Sequence, residues 1–126
     1  MGQRILIMDD DELSRGLITQ RMAEYLGYEV APTEEGATAL NLYCEALTKE
    51  DSFTAVILDL TVIGGMGGRE TAQKILKEDP NAKVIIASGF ADQAAREELF
   101  GLGVGAVIGK PFTVKELQGA LKDDAA

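Results

Sequence analysis

The sequence has no histidine and no tryptophan, and it has one cysteine among 126 residues. Without histidine, the chain cannot use an imidazole as a general base, a metal ligand or a phosphate carrier. The single cysteine, Cys44, excludes an intramolecular disulfide and is typical of proteins from a reducing compartment. We expect Cys44 to be a small buried apolar residue on a helix, with no part in the chemistry of the chain.

Long apolar runs and basic residues are also scarce. No run approaches the ~20 apolar residues of a membrane-spanning helix, and no signal peptide is visible at the N-terminus. The 12 Lys and Arg residues stand against 21 Asp and Glu residues, which gives a net charge of -9. Such a charge argues against direct nucleic-acid binding, because nucleic-acid binders supply positive charge to the phosphates. We expect a soluble, cytoplasmic protein that contacts neither nucleic acid nor membrane directly.

Short runs rich in Ile and Val alternate with segments of helical periodicity. The runs predict strands buried in a parallel sheet, and the segments between them predict helices. The predicted strands are 4–8, 28–31, 55–59, 83–88 and 106–109, and the predicted helices are 13–26, 33–47, 69–78, 91–102 and 114–121. This repeat indicates a single α/β domain over residues 1–126, with a flavodoxin-like, doubly wound sheet of five parallel strands and five helices. The strand order 2-1-3-4-5 makes the first strand central.

Polar residues follow four of these strands at their carboxyl ends. Asp9 and Asp10 follow the first strand, Asp59 ends the third, Ser88 ends the fourth and Lys110 follows the fifth. Ligands of such sheets bind beyond the carboxyl ends of the strands, so these side chains are expected to converge. Three close carboxylates repel by roughly 4 kcal/mol a pair at a dielectric of about 20, and therefore require a cation. Few, hard oxygen ligands favour Mg²⁺.

A carboxylate in such a cluster can attack phosphorus to form an acyl phosphate. We identify Asp59 as the nucleophile, because it stands alone at a strand end. Mg²⁺ and Lys110 would offset the charge on the phosphoryl oxygens, and Ser88 would donate a hydrogen bond to one of them. A single Asp after a strand is usually a turn residue or a helix cap, but four such placements at successive strand ends indicate a phosphoryl site.

These residues lie in motifs that resemble those of two-component response-regulator receiver domains, over essentially the whole chain. The motifs are Ile5-Leu6-Ile7-Met8-Asp9-Asp10-Asp11-Glu12, Ile57-Leu58-Asp59-Leu60, Ser88-Gly89 and Lys110-Pro111-Phe112. The resemblance implies that Asp9 and Asp10 organise Mg²⁺ and that Asp59 accepts phosphate from a kinase histidine. It also implies that the backbone carbonyl of Thr61 binds the metal. Ser88 and Lys110 take the family's hydroxyl and lysine positions, and the bond before Pro111 is implied to be cis.

The resemblance also implies partners. A histidine kinase or a histidine phosphotransfer domain is expected to dock beside the site, with Leu13, Ser14 and Phe112 near the contact. We expect Leu17 and Leu26 of the first helix to pack in the core instead. A downstream protein is expected on the surface of helix four, strand five and helix five. The stretch 60–70 further resembles receivers attached to hybrid sensor histidine kinases, so the chain is either a stand-alone relay protein or part of a longer kinase.

The sequence departs from the family pattern at three places. Ile63 stands where relatives usually have proline, in a glycine-rich loop one residue longer than is common, which predicts a more mobile loop. Val107 stands at the switch position that many relatives fill with an aromatic residue. Thr61 and Phe90 flank the path that hydrolytic water takes in relatives, and the bulky Phe90 predicts a long-lived phosphoryl group.

The sequence leaves three alternative functions to consider. A pseudo-receiver would keep the fold for protein contact without being phosphorylated, as the altered loop and Val107 would allow. A phosphatase of the haloacid-dehalogenase type would use Asp9 as nucleophile and Asp11 as general acid, but its further acidic pair could only be Asp123 and Asp124. A flavin mononucleotide module is disfavoured, because residues 9–12 would repel the flavin phosphate.

Overall fold

The computed structural model of the chain describes residues 3–60, 65–89 and 92–122. In these residues, five parallel strands form one sheet in the order β2-β1-β3-β4-β5. This result confirms the predicted fold class and strand order. The strands are β1 (Arg4–Met8), β2 (Glu29–Thr33), β3 (Ala55–Asp59), β4 (Val84–Ser88) and β5 (Ala106–Gly109). The helices are α1 (Glu12–Leu26), α2 (Gly36–Thr48), α3 (Gly68–Glu78), α4 (Gln93–Leu102) and α5 (Val114–Lys122).

The sheet has an apolar core on each face. Alternate side chains of β1 point to opposite faces, so Leu6 and Met8 join the core under α2, α3 and α4, whereas Ile5 and Ile7 join the core under α1 and α5. Every residue of β3 and β4 is buried. The inner strands therefore read as continuous apolar runs, since both of their faces are covered by helices.

The predicted boundary between the second strand and the second helix was wrong. Thr33 ends β2 and does not begin the second helix: its hydroxyl donates to the Ile7 carbonyl at 2.7 Å, and its own carbonyl accepts from the Asp9 N–H at 3.0 Å. Pro32 lies within β2, where it is tolerated because β2 is an edge strand. Helix α4 begins at Gln93, where the Asp92 side chain caps it by accepting a hydrogen bond from the Ala95 N–H. Residue 91, at which this helix was predicted to begin, lies outside the described residues.

Helix α1 presents more apolar surface to solvent than its sequence suggests. The prediction that Leu17 packs in the core was wrong, because its side chain is 48% exposed, while Leu13 is 77% exposed. Ile18 and Met22 are buried, and Leu26 packs against the same core as predicted. Residues 18, 22 and 26 share one face of the helix, whereas residues 13 and 17 lie on the neighbouring face. Cys44 lies on a helix as predicted, but it is only partly buried.

A close approach between backbones fixes the start of α3 beneath the end of β3. A Cβ atom added at Gly68 would collide with the carbonyl oxygen of Asp59 and lie 2.9 Å from its carbonyl carbon. The N–H of Gly68 donates to the Leu60 carbonyl at 3.2 Å. Only glycine therefore lets α3 begin this close to Asp59.

We predict that Gly68→Ala destabilises the protein by about 2 kcal/mol, because the backbone that carries Asp59 must shift to admit the methyl group. Gly119→Ala is the matched control. It lies inside α5 with nothing within 4 Å of an added Cβ, and should be neutral or stabilise by up to about 1 kcal/mol. Urea unfolding measures both changes, and equal stability of the two variants would contradict this account of the close approach.

Candidate functional site

Three carboxylates meet at the carboxyl ends of β1 and β3. Asp9, Asp10 and Asp59 each offer an oxygen, and these atoms all lie within 4.8 Å of one another. Asp9 is 1% exposed and Asp59 is 8% exposed, while Asp10 is open to solvent. The pairing of β1 with β3 brings these residues together across fifty positions of sequence, as the strand-end argument predicted.

The fifth strand brings a lysine to the same cluster. The Nζ atom of Lys110 lies 2.7 Å from Asp9 Oδ2 and 3.4 Å from Asp59 Oδ1. The N–H of Lys110 donates to the Ser88 carbonyl at 2.7 Å, which continues the ladder between β4 and β5. Lys110 therefore bridges two of the three carboxylates.

The loop after Lys110 is attached to α1. The peptide bond between Lys110 and Pro111 is cis, the isomer that the family resemblance implies. Arg21 donates from Nη1 to the Phe112 carbonyl at 2.8 Å, and Phe112 itself is buried. The role of Arg21 could not be predicted from the sequence, because no local pattern links a residue of the first helix to a carbonyl 91 positions later.

Asp9 has hydrogen-bond donors on both carboxylate oxygens. The Asp11 N–H donates to Oδ1 at 2.9 Å, and the Ser14 hydroxyl donates to Oδ2 at 2.7 Å. Sequence reasoning placed Ser14 only at a docking surface. The sequence did contain a signal for this position, because an Asp three residues before Ser14 is typical of a helix N-cap that accepts from the Ser14 N–H. Such a cap places Ser14 in the first turn of α1, close to the end of β1.

The buried groups have shifted pKa values that reflect this crowding. Burial alone would raise the pKa of Asp9, but the hydrogen bonds from Lys110, Asp11 and Ser14 outweigh burial and lower it. Burial raises the pKa of Asp59, and the neighbouring carboxylates add to this effect although Lys110 opposes it. Burial would lower the pKa of Lys110, but the two carboxylates that it contacts raise it above the usual value. Of the two buried carboxylates, Asp59 is thus the one whose ionised form is less favourable, and a nearby cation would favour that form.

Ser88 and Val107 lie on the two strands beyond Asp59. Ser88 is 5% exposed and pairs in register with Gly109. Val107 is buried, and its carbonyl accepts from Arg96 Nη1 at 3.3 Å. The interpretations that concern Thr61, Ile63, Phe90, Asp123 and Asp124 fall outside the described residues.

The donor set fits Mg²⁺. All three side chains supply hard carboxylate oxygens from a compact cluster, and Mg²⁺ prefers one or two carboxylates together with waters and phosphate oxygens. A partly open cluster leaves room for those waters, since Asp10 faces solvent.

An apolar pocket lies beside the cluster, between α1 and the loop after β5. Its volume is about 330 Å³. Lining residues from α1 include Leu13, Leu17 and Ile18, and those from the loop are Lys110, Pro111 and Phe112. Lys110 lines this pocket and also contacts Asp9 and Asp59, so the pocket adjoins the carboxylate cluster.

No helix among the described residues is both long enough and apolar enough to cross a membrane.

The chain is similar to known proteins over nearly its whole length. The chain is 34% identical over 122 residues to the "Chemotaxis protein CheY" of Thermotoga maritima, covering 96% of both chains. It is 31% identical over 122 residues to the "Sporulation initiation phosphotransferase F" of Bacillus subtilis, covering 97% of this chain and 93% of that protein. The solved non-phosphorylated HemR receiver domain from Leptospira biflexa matches with a TM-score of 0.80 and 30% identity, over 95% of this chain and 91% of that one.

A family model described as the response regulator receiver domain matches residues 5–122. With the strand order and the cluster at the strand ends, this match shows that the chain belongs to the response regulator receiver domain family of two-component signalling.

Proposed function

We propose that the chain accepts a phosphoryl group on Asp59 from the phosphohistidine of a kinase or phosphotransfer domain, in a Mg²⁺-dependent reaction. The observation that carries this proposal is the position of Lys110 Nζ between Asp9 and Asp59 at a cluster of three carboxylates. Such a site combines a nucleophilic carboxylate with positive charge where phosphoryl oxygens would lie.

The transfer breaks the phosphorus–nitrogen bond of the donor and forms a bond from phosphorus to an Asp59 oxygen. The electron pair of the broken bond stays on the imidazole nitrogen, which takes a proton as it leaves. Asp9, Asp10, Asp59 and the backbone carbonyl of Thr61 would hold Mg²⁺, which supplies charge neutralisation for the phosphoryl oxygens. Lys110 would pair with one of those oxygens, and Ser88 would donate a hydrogen bond to another.

The donor would dock on α1 and on the loop after β5. Leu13 and Leu17 are exposed beside the apolar pocket, next to Asp11 and Lys110. Exposed leucines at i and i+4 form an apolar stripe that suits a helix of the donor. A helix lying there would bring its histidine to the mouth of the site.

The response would be read on the surface of α4, β5 and α5. Val107 supplies no aromatic side chain there, so Asp59 would be coupled to this surface through movements of β4 and α4 that start at Ser88. Residues 1–126 would together form one receiver domain. The stretch 60–70 keeps its resemblance to receivers of hybrid kinases as a prediction, and residues 61–64 of it lie outside the described residues.

The phosphatase alternative finds no support in the described residues. The Asp11 carboxylate that would act as general acid accepts from the Ser14 N–H at 3.1 Å as the N-cap of α1. The Asp11 carboxylate therefore has a structural role as a helix cap, which explains its presence without a catalytic function.

Acetyl phosphate tests the proposed acceptor without a partner protein. Intact mass after incubation with acetyl phosphate and Mg²⁺ should show one added phosphoryl group on the wild type and none on Asp59→Asn. Asp51→Asn is the control, because Asp51 is exposed and pairs with Arg4 at the amino end of β1, away from the cluster. Labelling of Asp59→Asn equal to wild type would refute the assignment, and absence of labelling in the wild type would favour the pseudo-receiver.

The raised pKa of Asp59 predicts a pH-dependent stability. Its pKa is higher in the folded protein than the usual 3.8, so its contribution to stability is present below pH 3.8 and is lost as the pH rises through the folded pKa. At pH 7, without metal, the ionised Asp59 therefore lowers the free energy of unfolding.

Asp59→Asn should accordingly raise the free energy of unfolding by on the order of 1 kcal/mol at pH 7 in EDTA, and the gain should shrink as the pH falls and vanish below pH 3.8. Urea unfolding at the two pH values measures this difference, with Asp51→Asn as control. A variant less stable than wild type at pH 7 would contradict the electrostatic account of the cluster.

A substitution on the docking surface should slow phosphoryl transfer from a kinase without affecting labelling by acetyl phosphate. Leu13→Ala should slow transfer from a phosphorylated histidine kinase about tenfold, because an exposed apolar anchor is lost, while labelling by acetyl phosphate stays unchanged. Tyr25→Ala is the control, since Tyr25 is 68% exposed near the other end of α1. The assay uses a panel of purified kinases and compares variants with the fastest donor. Equal slowing by both substitutions would argue against this surface.

A further inference from the structure

A serine of α1 shares one oxygen of the acidic cluster with Lys110. The Ser14 hydroxyl and the Lys110 ammonium each donate to Asp9 Oδ2 at 2.7 Å. We propose that Ser14 is a positioning residue that sets the orientation of the Asp9 carboxylate for Mg²⁺. This inference rests on the proposed function, because it concerns the same metal site.

The distribution of donors on Asp9 decides which oxygen faces a cation. An ionised carboxylate has about four acceptor positions, two on each oxygen. Oδ2 accepts from both Ser14 and Lys110, whereas Oδ1 accepts from the Asp11 N–H at 2.9 Å. Among the described contacts, Oδ1 therefore keeps acceptor capacity for a metal ion or a metal-bound water, and Oδ2 does not.

The backbone of Asp9 is held independently of its side chain. Its N–H donates to the Thr33 carbonyl at 3.0 Å, and its carbonyl accepts from Arg15 Nη1 at 2.9 Å. With the main chain fixed, rotation of the carboxylate is the freedom that remains. The bonds from Ser14 and Lys110 to Oδ2 restrict that rotation.

Lys110 alone cannot maintain this orientation through the proposed reaction. Its Nζ atom is 3.4 Å from Asp59 Oδ1 and would turn towards a phosphoryl group attached there. Once Lys110 leaves Asp9, Ser14 is the donor that still holds Oδ2. The hydroxyl thus keeps the metal-facing oxygen in place while the lysine changes partners.

A substitution at Ser14 can remove the hydroxyl without disturbing the N-cap of α1. The cap uses the backbone N–H of Ser14, which donates to the Asp11 carboxylate at 3.1 Å and survives any side-chain change except proline. Alanine is also a better helix former than serine. Ser14→Ala should therefore retain α1 and lose only the bond to Asp9.

The test is a Mg²⁺ titration by calorimetry without phosphodonor. Ser14→Ala should weaken Mg²⁺ binding about tenfold, the lower end of the effect of removing a hydrogen-bond partner from a metal ligand. Ser14→Thr keeps the hydroxyl and should bind Mg²⁺ with the affinity of the wild type. Ser14→Val has a side chain of the same shape as threonine but without the hydroxyl, so its Mg²⁺ affinity should be as weak as that of Ser14→Ala. Gln20→Ala is the control on the same helix, since the Gln20 side chain bonds only to Glu24 among the described contacts.

The labelling reaction provides a second readout. In Ser14→Ala, the Mg²⁺ concentration that gives half of the maximal labelling rate with acetyl phosphate should rise about tenfold, while the rate at saturating Mg²⁺ stays that of wild type. A purely structural role would lower the stability in EDTA without moving this concentration.

The outcomes separate the two claims. Unchanged Mg²⁺ affinity in both Ser14→Ala and Ser14→Val, or equal weakening in Ser14→Thr, would overturn the role of Ser14 while leaving the function of Asp59 intact. A wild type that binds Mg²⁺ but takes up no phosphoryl group would overturn the proposed function, and a Ser14 effect on affinity would still stand. A wild type that binds no Mg²⁺ would overturn both.

Discussion

The repulsion among Asp9, Asp10 and Asp59 is the constraint on which the site depends. The fold brings their oxygens within 4.8 Å and buries two of the three side chains. Lys110 offsets part of this charge by bridging Asp9 and Asp59, although it lies 101 residues from Asp9 in sequence. A cluster that needs positive charge is suited to a metal ion and to a reaction that brings in and removes phosphoryl oxygens.

The rest of the structure holds these groups against their repulsion. Strand β1 pairs with β2 on one side and β3 on the other, so Asp9, which follows its last residue, is held beside the end of β3. Gly68 lets α3 begin against the carbonyl of Asp59, and Arg21 attaches the loop after Lys110 to α1. The two apolar cores that cover the sheet thus supply the rigidity that a functional site requires.

The strand ends could be predicted because their signals are local. The predicted bounds of β1, β3 and β5 were correct, since a short continuous apolar run that ends at a charged residue is typical of a buried strand that reaches the surface. The exposure of Leu17 could not be predicted, because it depends on how α1 is rotated over the sheet. Thr33 was assigned to the wrong element for a similar reason: its place in β2 follows from hydrogen bonds to β1, which is distant in sequence. The bond from Ser14 to Asp9 likewise requires the helix and the strand end to be in position together.

The most direct measurement of the central claim is a crystal structure of the protein with Mg²⁺ and beryllofluoride, a phosphoryl mimic. We expect the ion among Asp9, Asp10 and Asp59, the beryllium on an oxygen of Asp59, and Lys110 turned from Asp9 towards a fluorine. A metal ion bound elsewhere, or beryllofluoride absent from Asp59 at saturating concentration, would contradict the account.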